Sequence, residues 1–150
     1  MSTGIPKTSF FFIEEEFEEI AEIRNGCVGL KNAPPGAIRK TILFNDMSKL
    51  TCQEFIKEDF IEFYHYDYYD GEGNIIMKFH SEPHEEKKDQ TDTEPFHMHV
   101  ATDIHDLKAS KRIKNKHLQE LFKIMVFIVN GENLQHTYVR QHTNTVIKKK

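Results

Sequence analysis

The chain has no tryptophan and only two cysteines, Cys27 and Cys52. Without a CxxC spacing, this pair suggests neither a disulfide framework nor a cysteine-based zinc site, and a reducing, cytoplasmic setting is the expectation. No segment approaches the roughly 18–20 consecutive apolar residues that a helix needs to cross a bilayer, and residues 1–7 lack a basic stretch followed by an apolar one. No membrane partner is therefore expected. Acidic residues are scarce in one region only: residues 107–150 hold 2 acidic against 10 basic side chains, whereas residues 1–106 hold 22 against 10. The net charge of −4 thus conceals halves of −12 and +8. A basic segment neutralises phosphates and an acidic body repels them, so a nucleic acid would be gripped only along a restricted surface. The alternative is two solvated faces that balance each other.

What is present suffices for one core. At 150 residues, 38% hydrophobic, with 12 Phe and 5 Tyr, the chain reads as a single domain over 1–150, with residues 1–8 and 143–150 expected to be flexible. Ser9 precedes Phe10, Ile13, Phe17, Ile20 and Ala21 at helical spacing, which predicts an amphipathic helix ending near Asn25-Gly26. The glutamates around its other side, Glu14, Glu15, Glu16, Glu18, Glu19 and Glu22, read as a solvated face. Residues 31–36, with Pro34-Pro35, form a connector. From Ile38 the period becomes two. Residues 38–44 turn at Asn45-Asp46-Met47-Ser48 and resume over 50–56; residues 60–69 turn at Asp70-Gly71-Glu72-Gly73-Asn74 and return over 75–80. Residues 81–94 are polar and aperiodic, a loop longer than usual. Phe96, Met98 and Val100 alternate with His97, His99 and Ala101 as a fifth strand. A second helix is expected to begin between residues 106 and 115 and to run to Asn130-Gly131, burying Leu118, Leu121, Phe122, Met125, Ile128 and Val129. Residues 137–139 are a candidate further strand, and Lys148-Lys149-Lys150 reads as a frayed end. The fold class expected is α+β: an antiparallel meander of about five strands with two amphipathic helices packed on one face.

The chemistry is concentrated in histidine. Of nine histidines, His80, His84, His97 and His99 fall within twenty positions around one loop and its flanking strands. Imidazole titrates near neutrality, so it moves protons well, and in its neutral form it ligates transition metals. Three readings compete. Histidines act as general acid and base in RNA cleavage, with Lys78 offsetting charge on the phosphorane and no cofactor. Alternatively His84, His97 and His99 bind Zn or another transition metal, as a metal-binding protein or hydrolase. In the third, they are hydrogen-bonded surface residues. Tyr64, Tyr66 and Tyr68 share one face of their strand; such rings can stack on bases, with Tyr66 the substrate-binding candidate, but by default they pack against helices. His65 and Asp67 lie opposite, so a suitable hairpin register would let Asp67 orient a histidine beside Lys78 and His80.

The order of Leu43-Phe44-Asn45-Asp46, Glu54, Tyr64-His65-Tyr66, Asp70-Gly71, Lys78-Phe79-His80-Ser81-Glu82-Pro83-His84 and Pro95-Phe96-His97-Met98-His99-Val100 resembles the TumE family of toxins from type II toxin–antitoxin pairs. The resemblance covers roughly residues 37–101 and is most specific at Pro83-His84 and His97-x-His99-Val100. It implies an endoribonuclease with His84, His97 and His99 as the acid–base set, Lys78 as the phosphate-binding cation, and a cognate antitoxin carrying a DNA-binding domain as partner. The basic region 108–123, read as helical, would help to hold RNA. Two positions depart from the family pattern. Lys78 replaces an arginine, losing its bidentate fork, and Phe96 replaces a histidine. His80 then reads as a local substitution. An interaction module that has lost catalysis is the non-enzymatic alternative.

Overall fold

The structure, a computed structural model, describes residues 3–27, 35–81, 95–101 and 110–130. The elements run β1 (Ile5–Pro6), α1 (Phe10–Glu16), β2 (Ile20–Asn25), β3 (Ala37–Phe44), β4 (Lys49–Lys57), β5 (Phe60–Tyr69), β6 (Ile75–His80), β7 (His97–Ala101), β8 (Ser110–Lys114) and α2 (Leu121–Asn130). Strands β2 to β8 lie side by side in chain order, each antiparallel to the next, and β1 pairs separately with β5. The α+β class and the meander are as expected, but the sheet is wider than five strands because two segments read as helical are strands.

Both corrections have physical causes. The Ser9 side chain caps α1, accepting from the Phe12 N–H at 3.2 Å, but the helix stops at Glu16 rather than at Asn25. Continuing it would stack Glu14, Glu15, Glu16, Glu18, Glu19 and Glu22 at i,i+3 and i,i+4 spacings, each like-charge pair costing about 0.2–0.5 kcal/mol. Extended as β2, residues 20–25 instead pair along β3. At the other end, the buried Asn115 separates β8 from α2. Its amide donates to the Leu118 carbonyl at 2.5 Å, its Oδ1 accepts from the Leu118 N–H at 2.8 Å, and its own carbonyl accepts from Gln119 at 2.8 Å. An asparagine side chain competes in this way with helix hydrogen bonds, and α2 begins only at Leu121. The expected helical region 108–123 is thus strand over 110–114 and irregular over 115–120.

Residues 3–7 are hydrogen-bonded to the β4–β5 region. Thr3 donates to the Ile61 carbonyl through both its N–H (3.1 Å) and its hydroxyl (2.7 Å), and the Lys7 N–H donates to the Asp59 carbonyl at 3.0 Å. The candidate strand at 137–139 and the end expected to be flexible, 143–150, lie outside the described residues.

Two turns join the central strands. Lys57 pairs with Phe60, and Glu58 and Asp59 between them adopt φ of 54° and 69°. This is the positive-φ geometry of a two-residue hairpin, here without the usual glycine. Between β5 and β6, the Asp70 Oδ1 accepts from the Glu72 N–H at 2.9 Å and the Asn74 N–H at 2.8 Å, while Gly73 supplies a φ of +89°. One sheet face then carries Ile42, Phe44, Leu50, Cys52, Tyr64, Tyr66, Tyr68, Met77 and Phe79 into a core shared with Ile13 and Phe17 near the N-terminus and with Leu121, Ile124, Met125 and Ile128 of α2. Ile124 takes the core place expected for Phe122. That ring is 38% exposed and lies against Phe12 and Phe17 at centroid distances of 5.8 and 5.3 Å.

Candidate functional site

Residues directly opposite one another in antiparallel strands project to the same side. On the sheet face away from the core, register aligns Gln53, His65, His80 and His97 across β4 to β7, with Lys114 opposite His97 on β8. A second row aligns Thr51, Asp67, Lys78 and His99, with Arg112 at the next position. Two rows of chemistry-bearing residues therefore meet where β5, β6 and β7 run together.

The histidine rings form a continuous cluster. His65 stacks on His80 at 4.4 Å, His80 lies 5.5 Å from His97 and 5.0 Å from His99, and His97 and His99 are 5.0 Å apart. One ring nitrogen from each of His80, His97 and His99 falls within 4.8 Å of the others. Asp67 Oδ1 lies 3.3 Å from His80 Nε2, with each side chain 17% exposed. The hairpin register thus makes the contact that sequence could state only conditionally. A carboxylate against one nitrogen fixes the ring's orientation and leaves the other nitrogen to face substrate or metal. His97 is 1% exposed, whereas His80 and His99 are half-buried. His97 thus lies beneath the two that reach the surface.

His97 and His99 come together as the sequence suggested, and Lys78 stands in register between Asp67 and His99. His80, which the family comparison set aside as a substitution, is the third member of the cluster. His84 lies outside the described residues. Tyr66 does not join the cluster: it is fully buried on the core face and donates to Glu54 at 2.6 Å. The signal that finds His80 is period-two alternation, since His65 and Asp67 on β5 and Lys78 and His80 on β6 occupy alternate positions of one hairpin.

Behind the sheet lies a second polar group. Glu54 is fully buried and accepts from the Thr8 N–H at 3.2 Å, the Thr8 hydroxyl at 2.5 Å and the Tyr66 hydroxyl. Burial pushes its carboxyl above the ordinary range, against the opposing effect of those donors. Burial, with Glu54 nearby, likewise holds Tyr64 and Tyr66 as neutral phenols. Tyr64 stacks on Tyr66 at 4.3 Å. The buried Cys52 thiol is also pushed up by desolvation, which keeps it unreactive. This cluster locks the N-terminal segment to β4 and is separated from the histidines by the sheet itself.

By residue type, His80, His97 and His99 fit a transition-metal ligand set. Tetrahedral coordination at 2.0–2.1 Å needs ligand atoms about 3.3 Å apart, closer than the 4.8 Å envelope of these nitrogens.

A family model described as "Toxin TumE" matches residues 9–130. No curated protein and no solved structure matches the chain.

Proposed function

Because the chain belongs to the TumE toxin family, we propose that it cleaves RNA without a metal, using imidazoles of the histidine face as general acid and base. The observation that carries this reading is the convergence of His80, His97 and His99 beside Asp67 and Lys78. One surface imidazole of the His80–His99 pair takes the proton of the ribose 2′-hydroxyl as that oxygen bonds to phosphorus. The P–O5′ bond breaks, and the other, protonated, gives its proton to the leaving 5′-oxygen. The products are a 2′,3′-cyclic phosphate and a 5′-hydroxyl. Lys78 offsets charge on the phosphorane. Asp67 orients His80, and the buried His97 acts as a positioning residue through ring contacts with both. In the sequence-based set His97 and His84 stood where His80 stands here.

Charge favours this reading over a metal centre. Lys78 stands in the same row as His99, and Lys114 occupies the position on β8 opposite His97, against one carboxylate among the described residues of these rows, Asp67. A phosphodiester is stabilised by such surroundings, whereas a divalent ion on three neutral imidazoles is opposed by them. The metal reading keeps one observation in its favour, the mutual proximity of the three nitrogens. Family membership implies an antitoxin, and its proposed form is a protein with a DNA-binding domain that neutralises the toxin by covering this face.

RNA incubation with wild type, His80→Ala and His99→Ala, each with and without EDTA, tests the proposal. Cleavage that survives EDTA and falls roughly 10²- to 10⁴-fold in the variants is expected. Cleavage abolished by EDTA, with near-stoichiometric bound metal, would transfer the site to the metal reading. Intact RNA under all conditions would leave an interaction module.

A further inference from the structure

Beyond His65, the face away from the core continues into a pair of rings to which nothing above assigns a role. Phe55 and Phe63 stand opposite each other on β4 and β5 and stack at 4.1 Å with an interplanar angle of 17°. Phe63 lies 6.2 Å from His65, which in turn stacks on His80. Both phenylalanines are half-buried rather than sunk in the core, and neither belongs to the core cluster on the other side of the sheet. The aromatic rings thus run unbroken across the sheet from Phe55 and Phe63, through His65 and His80, to His97 and His99. Polar groups flank the run: Arg39 Nε donates to Gln53 Oε1 at 3.3 Å in the row that continues through His65.

Resting on the ribonuclease reading, we propose that this run of rings is a stacking platform for single-stranded RNA, with a base beside the scissile phosphate seated against Phe55 and Phe63. Stacked on each other, Phe55 and Phe63 leave their outer π-faces for a base of any kind, and such platforms bind unpaired strands because a base within a duplex is already stacked on its neighbours. The substrate class is therefore single-stranded RNA, with weak sequence preference at the base that meets the phenylalanines. Because it adjoins the histidines, the platform also holds the strand so that one phosphate faces His80 and His99.

The test measures binding of the intact chain to a fluorescent 2′-O-methyl oligoribonucleotide, which lacks the attacking hydroxyl and so stays uncleaved. The same sequence is then offered as a duplex, with wild type, Phe63→Ala and Phe63→Trp compared. Phe63→Ala is expected to weaken single-strand affinity roughly 5- to 100-fold, to raise KM for RNA cleavage more than it lowers kcat, and to keep the wild-type circular dichroism. Phe63→Trp restores affinity, which separates stacking from loss of fold. The proposal is overturned if Phe63→Ala binds within twofold of wild type, if the duplex binds as tightly as the single strand, or if Phe63→Ala turns a self-associated wild type into a monomer. Cleavage with Phe63-independent binding would remove the platform and leave the nuclease standing. Phe63-dependent binding without cleavage of natural RNA would do the reverse.

Discussion

Replacing Glu54 by glutamine isolates the cost of a carboxylate in the core. In the native protein the Glu54 Oε2 accepts hydroxyl protons from Thr8 and Tyr66, and the Oε1 accepts the Thr8 N–H. A glutamine oriented to keep both hydroxyl donors turns its own N–H₂ toward the Thr8 N–H, so one hydrogen bond is lost, at about 1–2 kcal/mol. That loss does not depend on pH, but the wild-type reference does. The folded-state pKa of Glu54 is raised above the ordinary 4.5, so the folded protein holds this proton more tightly than the unfolded chain. Stability from this group is therefore complete below about pH 4.5 and is lost as pH rises through the raised folded value, at about 1.36 kcal/mol for each tenfold difference in proton affinity between the two states. The glutamine variant has nothing to titrate at this position. Urea unfolding of both proteins at pH 4.5 and pH 8 is expected to show Glu54→Gln less stable than wild type at the lower pH, with the deficit shrinking or reversing at the higher. Other titrating groups are shared and cancel in the difference. A deficit that is constant, or that grows with pH, would refute the reasoning, because it would mean that the three donors outweigh burial. Glu54→Leu, which leaves all three donors without an acceptor, is expected to cost more than Glu54→Gln at either pH, roughly 3–5 kcal/mol.

Asp67→Asn keeps the size of the group beside His80 and removes its charge; RNA cleavage is expected to fall about 10- to 100-fold in kcat with an unchanged unfolding midpoint, as for loss of an orienting carboxylate. Unchanged kcat would assign Asp67 to structure alone. At the β4–β5 hairpin, the double change Glu58→Asn, Asp59→Gly supplies residues that tolerate positive φ, where ordinary side chains cost about 1–2 kcal/mol each. It also removes the exposed Lys7–Asp59 pair at 3.3 Å, which contributes little. A net gain near 1 kcal/mol in chemical denaturation is expected.

The parts of this fold legible in the sequence are those where one signal acts alone. The alternation from Ile38 to His80, punctuated by Asn45-Asp46 and Asp70-Gly71, has no rival interpretation, and β3 to β6 fall where it puts them. Residues 20–25 and 110–114 were illegible because helix and strand compete there. Ile20 and Ile23, three apart, carry the helical period and reach the same side of β2 only through the register shift between Ile20 and Glu22, and the repulsion among the glutamates matters only in comparison with the pairing that β3 offers. Ser-Lys-Arg-Ile-Lys carries no marker of its own and becomes a strand against β7. The site was legible as a set of residue types and half legible as geometry. His97-x-His99 announces a shared face, but the neighbour that completes it, His80, is chosen by the β5–β6 and β6–β7 registers. Family comparison pointed away from His80 because a departure from a pattern reads as a loss, whereas in space it supplies the ring that Asp67 touches.

Whether the Asp70 turn or the core sets the β5–β6 register is itself testable. Asp70→Ala removes three acceptor contacts, from the Glu72 N–H, the Asn74 N–H and the Asn74 side-chain amide. The backbone bonds between Asp70 and Asn74 remain available, and the freed groups sit beside exposed residues, so the loss is about 1–2 kcal/mol. A slip of β6 by one residue would do more, driving Met77 and Phe79 from the core to the opposite face while Tyr66 and Tyr68 keep their places. Each such side chain contributes about 1.5–3 kcal/mol on burial, so the core holds the register more strongly than the turn does. Asp70→Ala is therefore expected to lower the urea midpoint while RNA cleavage per folded molecule stays within about twofold, with His65 still opposite His80 and Asp67 opposite Lys78. A folded Asp70→Ala protein that lost cleavage would show that the turn, rather than the core behind it, aligns the histidine face.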